Sequence, residues 1–296
     1  MPVDERIAFV TCERLPDIHR DDRLVANALQ RLGVQVTAAV WNDAAIDWRQ
    51  FASVVIRTAW DYHLDEARYA AWLHRCQAEG VNLWNPAATV LANIDKRYLT
   101  HFADAAVPIV PFEYLERGQR QSLRTLLERR NWTRAVVKPA VSASAYGTWR
   151  TSLETAAGDQ RLFDEQVTRR SLQVQPFAEE IVASGEWSVV FFDGEYSHAV
   201  LKKPASDDFR VQEELGGYGE PRDPPPAIVE QAGRVLSQAG PLLYARVDGI
   251  ERDGAFILME LEINEPFLYI GASNGAARRF ADAIVRTTTR TLCSPP

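Results

Sequence analysis

The sequence predicts an α/β protein that continues into an α+β part, and three observations support this assignment. Strand and helix signals alternate over about the first ninety residues, which is typical of parallel strands with crossover helices. After residue 171, apolar runs joined by short turns predict antiparallel pairs. The 296 residues include 46% hydrophobic and 25% charged side chains, a composition that indicates a folded chain of about two domains.

The first part of the chain predicts a parallel sheet. Its first helix has an acidic start at Asp21 and ends at Gly33. Ligands bind outside the carboxyl ends of parallel strands, so we expect Arg57, Trp60 and Asp61 to form part of a substrate pocket. The predicted strands cover residues 7–11, 34–41, 53–60 and 81–86, and the predicted helices cover residues 21–33 and 64–79.

The rest of the chain changes character after residue 86. Asp193 and Gly194 favour a tight hairpin turn between two apolar strands. Two long strands near the C-terminus are predicted to form a second hairpin. The other predicted elements are helices over residues 93–105, 225–240 and 276–289, an arginine-rich helix within 117–134, a strand over 134–140 and a loop of small residues over 142–147.

Charge and hydropathy restrict the classes of partner. The net charge of −7 argues against a nucleic-acid backbone as the main partner, although the six arginines of segment 117–134 leave a nucleic-acid binder as an alternative. No apolar run reaches the roughly 18 residues of a membrane helix, and the N-terminus lacks a signal-type stretch. We therefore expect a cytoplasmic protein, a monomer or homodimer, with neither a nucleic-acid nor a membrane partner.

A lysine and a small-residue loop form the first candidate phosphate site. Lys138 ends the strand over residues 134–140, and Ser142, Ser144 and Gly147 follow it. Small residues let backbone N–H groups approach phosphate oxygens, hydroxyls donate further hydrogen bonds, and an ammonium supplies a point charge. The pattern predicts a phosphate-binding loop, although a solvated turn has the same composition.

Two strands near the C-terminus carry a candidate metal site. Period-2 alternation places Glu260, Glu262 and Asn264 on one face of the second strand. The same rule places Arg246 and Asp248 on one face of its hairpin partner. If the two strands pair in phase, the acidic faces coincide; a one-residue slip separates them. Such oxygen donors suit Mg²⁺, which binds through one or two carboxylates plus substrate phosphates.

Further cations precede these strands. Lys202 and Lys203 lie in a predicted strand, and Arg210 follows in the segment DDFRVQEELGG. Cations at these positions could neutralise a transferring phosphoryl group, which is mainly electrostatic work.

Taken together and in this order, these motifs resemble the ATP-grasp superfamily of ATP-dependent carboxylate ligases. The similar segments are NIDKRYLT, VVKPAVSASAYG, VQPFAEEIVASGEWSVVFF, RVD and E-x-N. The longer string, including VTCERLPD, RTAWDYH, LWNP and EYSHAVLKKP, is similar to the bacterial branch that contains the cyclo-ligase of cycloserine biosynthesis, which closes O-ureido-D-serine. Glutathione synthetases and ribosomal-protein glutamate ligases are more distant relatives.

The resemblance implies an ATP-grasp fold of three regions, with ATP held between the last two. These are a Rossmann-like N-terminal domain over residues 1–92, a small lid over 93–175 and a C-terminal antiparallel-sheet domain over 176–296.

It also implies roles for individual residues. The nucleotide would contact Lys96, Lys138, Ser142, Ser144, Gly147, Gln175, Phe177, Glu186 and Lys202. Magnesium would bind Asp248, Glu262 and Asn264, and the phosphoryl group would meet Arg246, Lys203 and Arg210. Two choices stay open. Glu179 or Glu180 could replace Glu186 at the ribose, and Glu260 or Glu265 could be a metal ligand.

The implied activity is an ATP-dependent ligation. MgATP would phosphorylate a carboxylate of a small amino-acid-like substrate, and a nitrogen nucleophile of another or of the same molecule would attack the acyl phosphate. The alternative function is a non-catalytic ATP-binding regulatory protein of the same fold.

Overall fold

Three sheets form the framework of the protein, and one of its hydrophobic clusters is shared by the first and third sheets. The computed structural model describes residues 6–205, 210–211 and 216–293, with side chains as far as residue 291. The first sheet is parallel, and the other two are antiparallel. The predicted change from a parallel to an antiparallel arrangement is therefore confirmed.

The first sheet has the strand order β2-β1-β3-β4 and is parallel throughout. The fully buried β3 contributes Val54 and Ile56 to a core in which Trp48, Tyr69 and Trp72 also lie. Its strands are β1 (Arg6–Thr11), β2 (Gln35–Val40), β3 (Ser53–Thr58) and β4 (Leu83–Trp84), and its helices are α1 (Arg20–Arg31) and α2 (Glu66–Ala78).

The single helix predicted over residues 93–105 is interrupted. Helix α3 (Ala87–Asn93) ends before Asp95, whose side chain caps a short 3-10 helix (Lys96–Tyr98) that leads into α4 (Leu99–Asp104). This interruption fixes Lys96 at a buried position. A side-chain oxygen that satisfies free N–H groups at a helix start explains why a new helix begins there.

The second sheet has the order β5-β8-β6-β7 and is antiparallel. Leu126, Phe163 and Val174 lie in its core. In the arginine-rich helix, Arg124 pairs with Glu128 on the same helix, while Arg129 and Arg130 pair with a neighbouring glutamate. The elements are β5 (Glu113–Leu115), α5 (Leu123–Arg130), β6 (Arg134–Pro139), β7 (Trp149–Ser152), α6 (Ala156–Arg169) and β8 (Leu172–Pro176).

The third sheet has the order β11-β10-β9-β12-β13. Asp193 and Gly194 both have positive φ, 52° and 83°, as the predicted hairpin turn requires. The elements are α7 (Glu180–Ala183), β9 (Glu186–Phe192), β10 (Glu195–Lys203), β11 (Tyr218–Pro221), α8 (Pro226–Ser237), β12 (Tyr244–Arg252) and β13 (Ala255–Glu262).

Two segments cross between the three regions proposed from the sequence. Helix α9 (Ala276–Cys293) packs Phe280 and Ile284 into the same cluster as Ile7 of the first sheet. Leu99 and Phe102 of α4 lie in the core of the third sheet. The three-region division stays a prediction, and the packing shows that its regions share cores. No helix of the described residues is long and apolar enough to cross a membrane.

Candidate active site

A cavity of about 320 Å³ lies where the three sheets meet. The first sheet contributes His19 and Trp60 from the loops that follow its strands, and the second sheet contributes Lys138 and Gln175. The predicted residues that line the cavity are Trp60, Lys96, Lys138, Ser142, Ser144, Gln175, Phe177, Glu186, Lys202, Arg210, Arg246, Asp248, Glu262 and Asn264. Residues spread over more than two hundred positions thus share one cleft.

The pairing of β12 with β13 brings the acidic faces together. Arg246 lies opposite Glu262, and Asp248 lies opposite Glu260, so the in-phase alternative is confirmed. The register shifts between Asp248 and Gly249, after the paired acids. A bulge at this position keeps the paired charged residues aligned and bends the rest of the hairpin.

Asp248 is the centre of a buried charge network. Its carboxylate accepts hydrogen bonds from Lys202 at 3.0 Å, from Arg246 at 2.9 Å and from Ser188 at 2.6 Å. Burial opposes ionisation, but the two cations outweigh it and hold the pKa of Asp248 well below its ordinary value. Lys202 also donates to Glu186 at 2.6 Å, and the two carboxylates raise the pKa of that lysine despite its burial. This network fixes positive charge beside the cavity.

The other acids of the cavity are crowded. Glu262 pairs with Arg246 at 2.5 Å, yet burial and the carboxylates of Asp248 and Glu260 raise the pKa of Glu262 to about 7. Burial and the carboxylate of Glu262 raise the pKa of Glu265 to about 8. Neighbouring carboxylates repel each other when all are ionised, and a cation placed between them would stabilise their charged forms.

The two lysines implied for the nucleotide meet at the small-residue loop. Lys96 donates to the backbone oxygen of Ser142 at 3.2 Å and to its hydroxyl at 3.3 Å, and pairs with Glu260 at 3.1 Å. Lys138 lies beside them, and burial lowers its pKa, with the charge of Lys96 acting in the same direction. The positive charges of Lys96 and Lys138 repel each other, so a bound anion of high charge would stabilise both.

The segment implied as a hinge also borders the cavity. Gln175 and Phe177 line it at the end of β8, and Glu186 lines it at the start of β9. The alternatives to Glu186 lie outside the lining, because Glu179 pairs with Arg134 and Glu180 with Arg252. The ribose role therefore stays a prediction, with Glu186 the one of the three at the cavity.

Two residues expected in the substrate pocket do not line the cavity. Arg57 is 1% exposed and donates to Asp22 at 2.8 Å and to the backbone oxygen of Pro266 at 2.9 Å. Asp61 accepts the indole N–H of Trp41 at 2.7 Å. Arg57, Trp60 and Asp61 were all expected at the pocket because they lie at the end of β3. Only Trp60 lines the cavity, whereas Arg57 and Asp61 bond to neighbouring segments of the chain.

Lys203 and Gly147 also lie outside the cavity lining. Successive residues of a strand point to opposite faces, so Lys203 turns away from the cavity that its neighbour Lys202 lines. Gly147 has φ +69°, and a Cβ there would lie 3.0 Å from Cγ of Pro139, so it shapes the loop. Arg210 does line the cavity, whereas most of the surrounding segment DDFRVQEELGG lies outside the described residues.

The structure adds cavity residues that the sequence patterns did not single out. His19 lies 5.3 Å, between ring centroids, from both Trp60 and Phe267. Tyr98 accepts a hydrogen bond from the backbone N–H of Leu261 on β13. His19 follows β1, and residues that follow a parallel strand lie at the ligand-binding edge of the sheet. That position was the one signal in the sequence that could have identified it.

The donor set fits Mg²⁺ in type. The described residues contain no group of three or more His, Cys, Asp or Glu side chains arranged to hold a metal by themselves. Mg²⁺ usually takes one or two carboxylates and fills its other positions with water and substrate phosphates. Asp248 and Glu262, together with the amide oxygen of Asn264, meet that requirement.

Comparisons with known proteins agree with this geometry. Residues 7–85 match the family described as D-cycloserine synthetase DcsG, N-terminal domain. The chain is 29% identical to the cycloserine biosynthesis protein DcsG of Streptomyces lavendulae over 94% of its own length and 97% of that protein. It superposes on the crystal structure of D-cycloserine synthetase DcsG with a TM-score of 0.87 at 27% identity, covering 96% of this chain and 99% of the other.

More distant structures share the fold. An ATP-grasp RimK-domain protein from Sphaerobacter thermophilus matches with a TM-score of 0.70 at 16% identity, over 95% of this chain and 99% of that one. The chain has the ATP-grasp fold, and its similarity to DcsG supports an ATP-dependent ligase. D-alanine–D-alanine ligase from Bacillus anthracis has the same fold, with a TM-score of 0.70 at 14% identity and coverage of 97% and 98%.

Proposed function

We propose that this ATP-grasp ligase uses MgATP to activate the carboxylate of a small amino-acid-like substrate and joins that carboxyl group to a nitrogen nucleophile. The observation that carries the proposal is the convergence of four cations and a carboxylate pair on one cavity. The cations are Lys96, Lys138, Lys202 and Arg246, and the acids are Asp248 and Glu262. Similarity to DcsG favours an intramolecular reaction, in which the nitrogen belongs to the same molecule.

The first step would be phosphoryl transfer. A carboxylate oxygen of the substrate attacks the γ-phosphorus of ATP, the bond from that phosphorus to the β–γ bridging oxygen breaks, and ADP and an acyl phosphate form. Charge moves onto the bridging oxygen and stays spread over the transferring group, so positioning and neutralisation dominate catalysis. Arg246 is suited to this role because its guanidinium is fixed by Asp248 and Glu262.

The second step would be attack by nitrogen. Its lone pair bonds to the carbonyl carbon of the acyl phosphate, the C–O bond to phosphate breaks, and the nitrogen loses a proton as phosphate leaves. When the nucleophile is in the same molecule, the product is a ring. An acyl phosphate is readily hydrolysed, so closure of the loop over residues 142–147 would protect it from water.

Magnesium would bind Asp248, Glu262 and Asn264, where it would neutralise phosphate oxygens of the nucleotide. Glu260 and Glu265 are the further acids close enough to contribute, because both line the cavity. The substrate would occupy the end of the cavity bounded by His19, Trp60 and Phe267. An aromatic and partly polar enclosure of this kind suits a small amino-acid-like molecule.

The nucleotide site is tested by thermal unfolding with and without MgATP. At 100 times its dissociation constant, ATP should stabilise the wild-type protein by about 2.7 kcal/mol. Lys138→Ala and Glu262→Ala should lose this stabilisation, whereas Lys203→Ala, on the opposite face, should keep it. Equal stabilisation of all four proteins would contradict the assignment of the cavity to ATP.

The substrate is tested by release of phosphate and ADP in a screen of amino acids and other carboxylates. O-ureido-D-serine, the substrate that the sequence resemblance implies, is the first compound to test. Production of one ADP for each ring closed would support the intramolecular ligase. Failure of every carboxylate to release phosphate, with MgATP bound, would favour the non-catalytic regulatory alternative.

A further inference from the structure

The amide of Asn264 is held by a residue of the first sheet's region. The phenol of Tyr69, on α2, donates a hydrogen bond to Oδ1 of Asn264 at 2.6 Å. Tyr69 has no exposed surface, and Asn264 is 5% exposed. The two residues are separated by 195 positions, so only the packing of the first sheet's helix against the end of β13 brings them together.

The side-chain amide of Asn264 has one bonded and one unbonded end among the described residues. The backbone oxygen of Asn264 accepts from the phenol of Tyr244 at 2.7 Å, which fixes the main chain. Nδ2 of Asn264 is buried and has no hydrogen-bond partner in the part of the chain that the structure describes. The contact with Tyr69 is therefore the one hydrogen bond to the side-chain amide among the described residues. A carbonyl oxygen has two lone pairs, so Oδ1 can accept from the phenol and still bind a cation.

The aromatic core makes Tyr69 a rigid support. Its ring lies 5.1 Å from the ring of Trp41, 5.1 Å from that of Tyr62 and 5.3 Å from that of Trp72. A buried ring packed on three sides has little freedom to rotate, so its hydroxyl has a fixed direction. Groups that orient metal ligands typically change metal affinity by 10- to 100-fold when removed.

We propose that Tyr69 is a positioning residue that orients the magnesium ligand Asn264. The inference rests on the proposed function, because it takes Asn264 to be a ligand of Mg²⁺. It assigns to α2 a part in the active site, although α2 contributes no residue to the cavity lining.

The test measures binding of a non-hydrolysable ATP analogue by calorimetry, once with excess Mg²⁺ and once in EDTA. The ratio of the two affinities gives the gain due to the metal. Tyr69→Phe should reduce this gain by about 10-fold or more. Its affinity in EDTA should stay that of the wild type, which also shows that the variant is folded.

Two further variants connect the effect to Asn264. Asn264→Ala should lose much of the metal-dependent gain while Asp248 and Glu262 retain a part of it, and adding Tyr69→Phe should cause no further loss, because Tyr69 acts through that amide. Tyr196→Phe is the control: it removes a phenol on β10 that lies outside the cavity lining, and it should keep the full gain.

The failures are distinguishable. An unchanged gain in Tyr69→Phe, with a lost gain in Asn264→Ala, would overturn the role of Tyr69 and leave the metal site intact. Additive losses in the double variant would also overturn it, since they would show that Tyr69 acts elsewhere. An unchanged gain in Asn264→Ala would overturn the metal assignment itself and, with it, the role of Tyr69.

Discussion

The buried ion pair between Arg57 and Asp22 should contribute strongly to stability and little to substrate binding. The side chains are 2% and 4% exposed, and the two atoms that pair are 2.8 Å apart. The guanidinium also lies 5.0 Å from the ring centre of Tyr244 and 5.6 Å from that of Phe280. Arg57 thus joins the first sheet to α1, to the third sheet and to α9.

Arg57→Met would leave the carboxylate of Asp22 buried and unpaired. Breaking a buried pair in this way costs about 3–5 kcal/mol. At about 2 °C per kcal/mol for a chain of this size, Tm should fall by roughly 6–10 °C. The double variant Arg57→Met with Asp22→Leu removes both charges and should recover more than half of the loss, because no isolated charge remains.

The assay is urea unfolding followed by tryptophan fluorescence, combined with steady-state kinetics on any substrate found by the screen. KM of the double variant should stay within about twofold of the wild-type value, since Arg57 does not line the cavity. A double variant as unstable as the single one would refute the ion-pair reasoning. A double variant with recovered stability but a KM raised more than tenfold would return Arg57 to the substrate pocket.

Two further predictions concern β12 and β13. Glu262 has a pKa of about 7 in the folded protein and an ordinary value near 4.5 when unfolded, so without metal it lowers stability as pH rises from about 4.5 to 7. As pH rises over that window, the free energy of unfolding of Glu262→Gln should increase relative to that of the wild type by up to about 3 kcal/mol, measured by urea unfolding. A difference between the two proteins that does not change with pH would contradict this prediction. Gly249→Ala places a Cβ 2.6 Å from the backbone oxygen of Ile257 and should destabilise by about 1–3 kcal/mol, whereas Gly158→Ala, with nothing within 4 Å, should not.

Much of the fold could be predicted from local patterns. Apolar runs and turn residues gave the parallel sheet, the hairpin at Asp193 and the strands that carry Asp248 and Glu262, because period and turn chemistry act over a few residues. The helix over residues 93–105 was predicted as continuous because its spacing is helical. The break at Asp95 depends on a side-chain cap and on the burial of Lys96.

The candidate site, like the fold, could be predicted only in part from the sequence. The types of residue needed for phosphate and metal, above all Lys138, Asp248 and Glu262, were evident from the sequence as ordered motifs. The register that makes the acids meet was open, since hairpin loop length does not determine it. Lys203 was expected in the site together with Lys202, but successive side chains of a strand point to opposite faces, so Lys203 does not line the cavity.

The sequence by itself determined which chemistry the chain carries: its cations, its acids and the order in which strands present them. Tertiary structure decided which of these groups reach the cavity. Arg57 and Tyr69 show why, because each acts on a segment about two hundred positions away, Arg57 at Pro266 and Tyr69 at Asn264. Contacts of that separation depend on how whole sheets pack, and no local period or propensity encodes them.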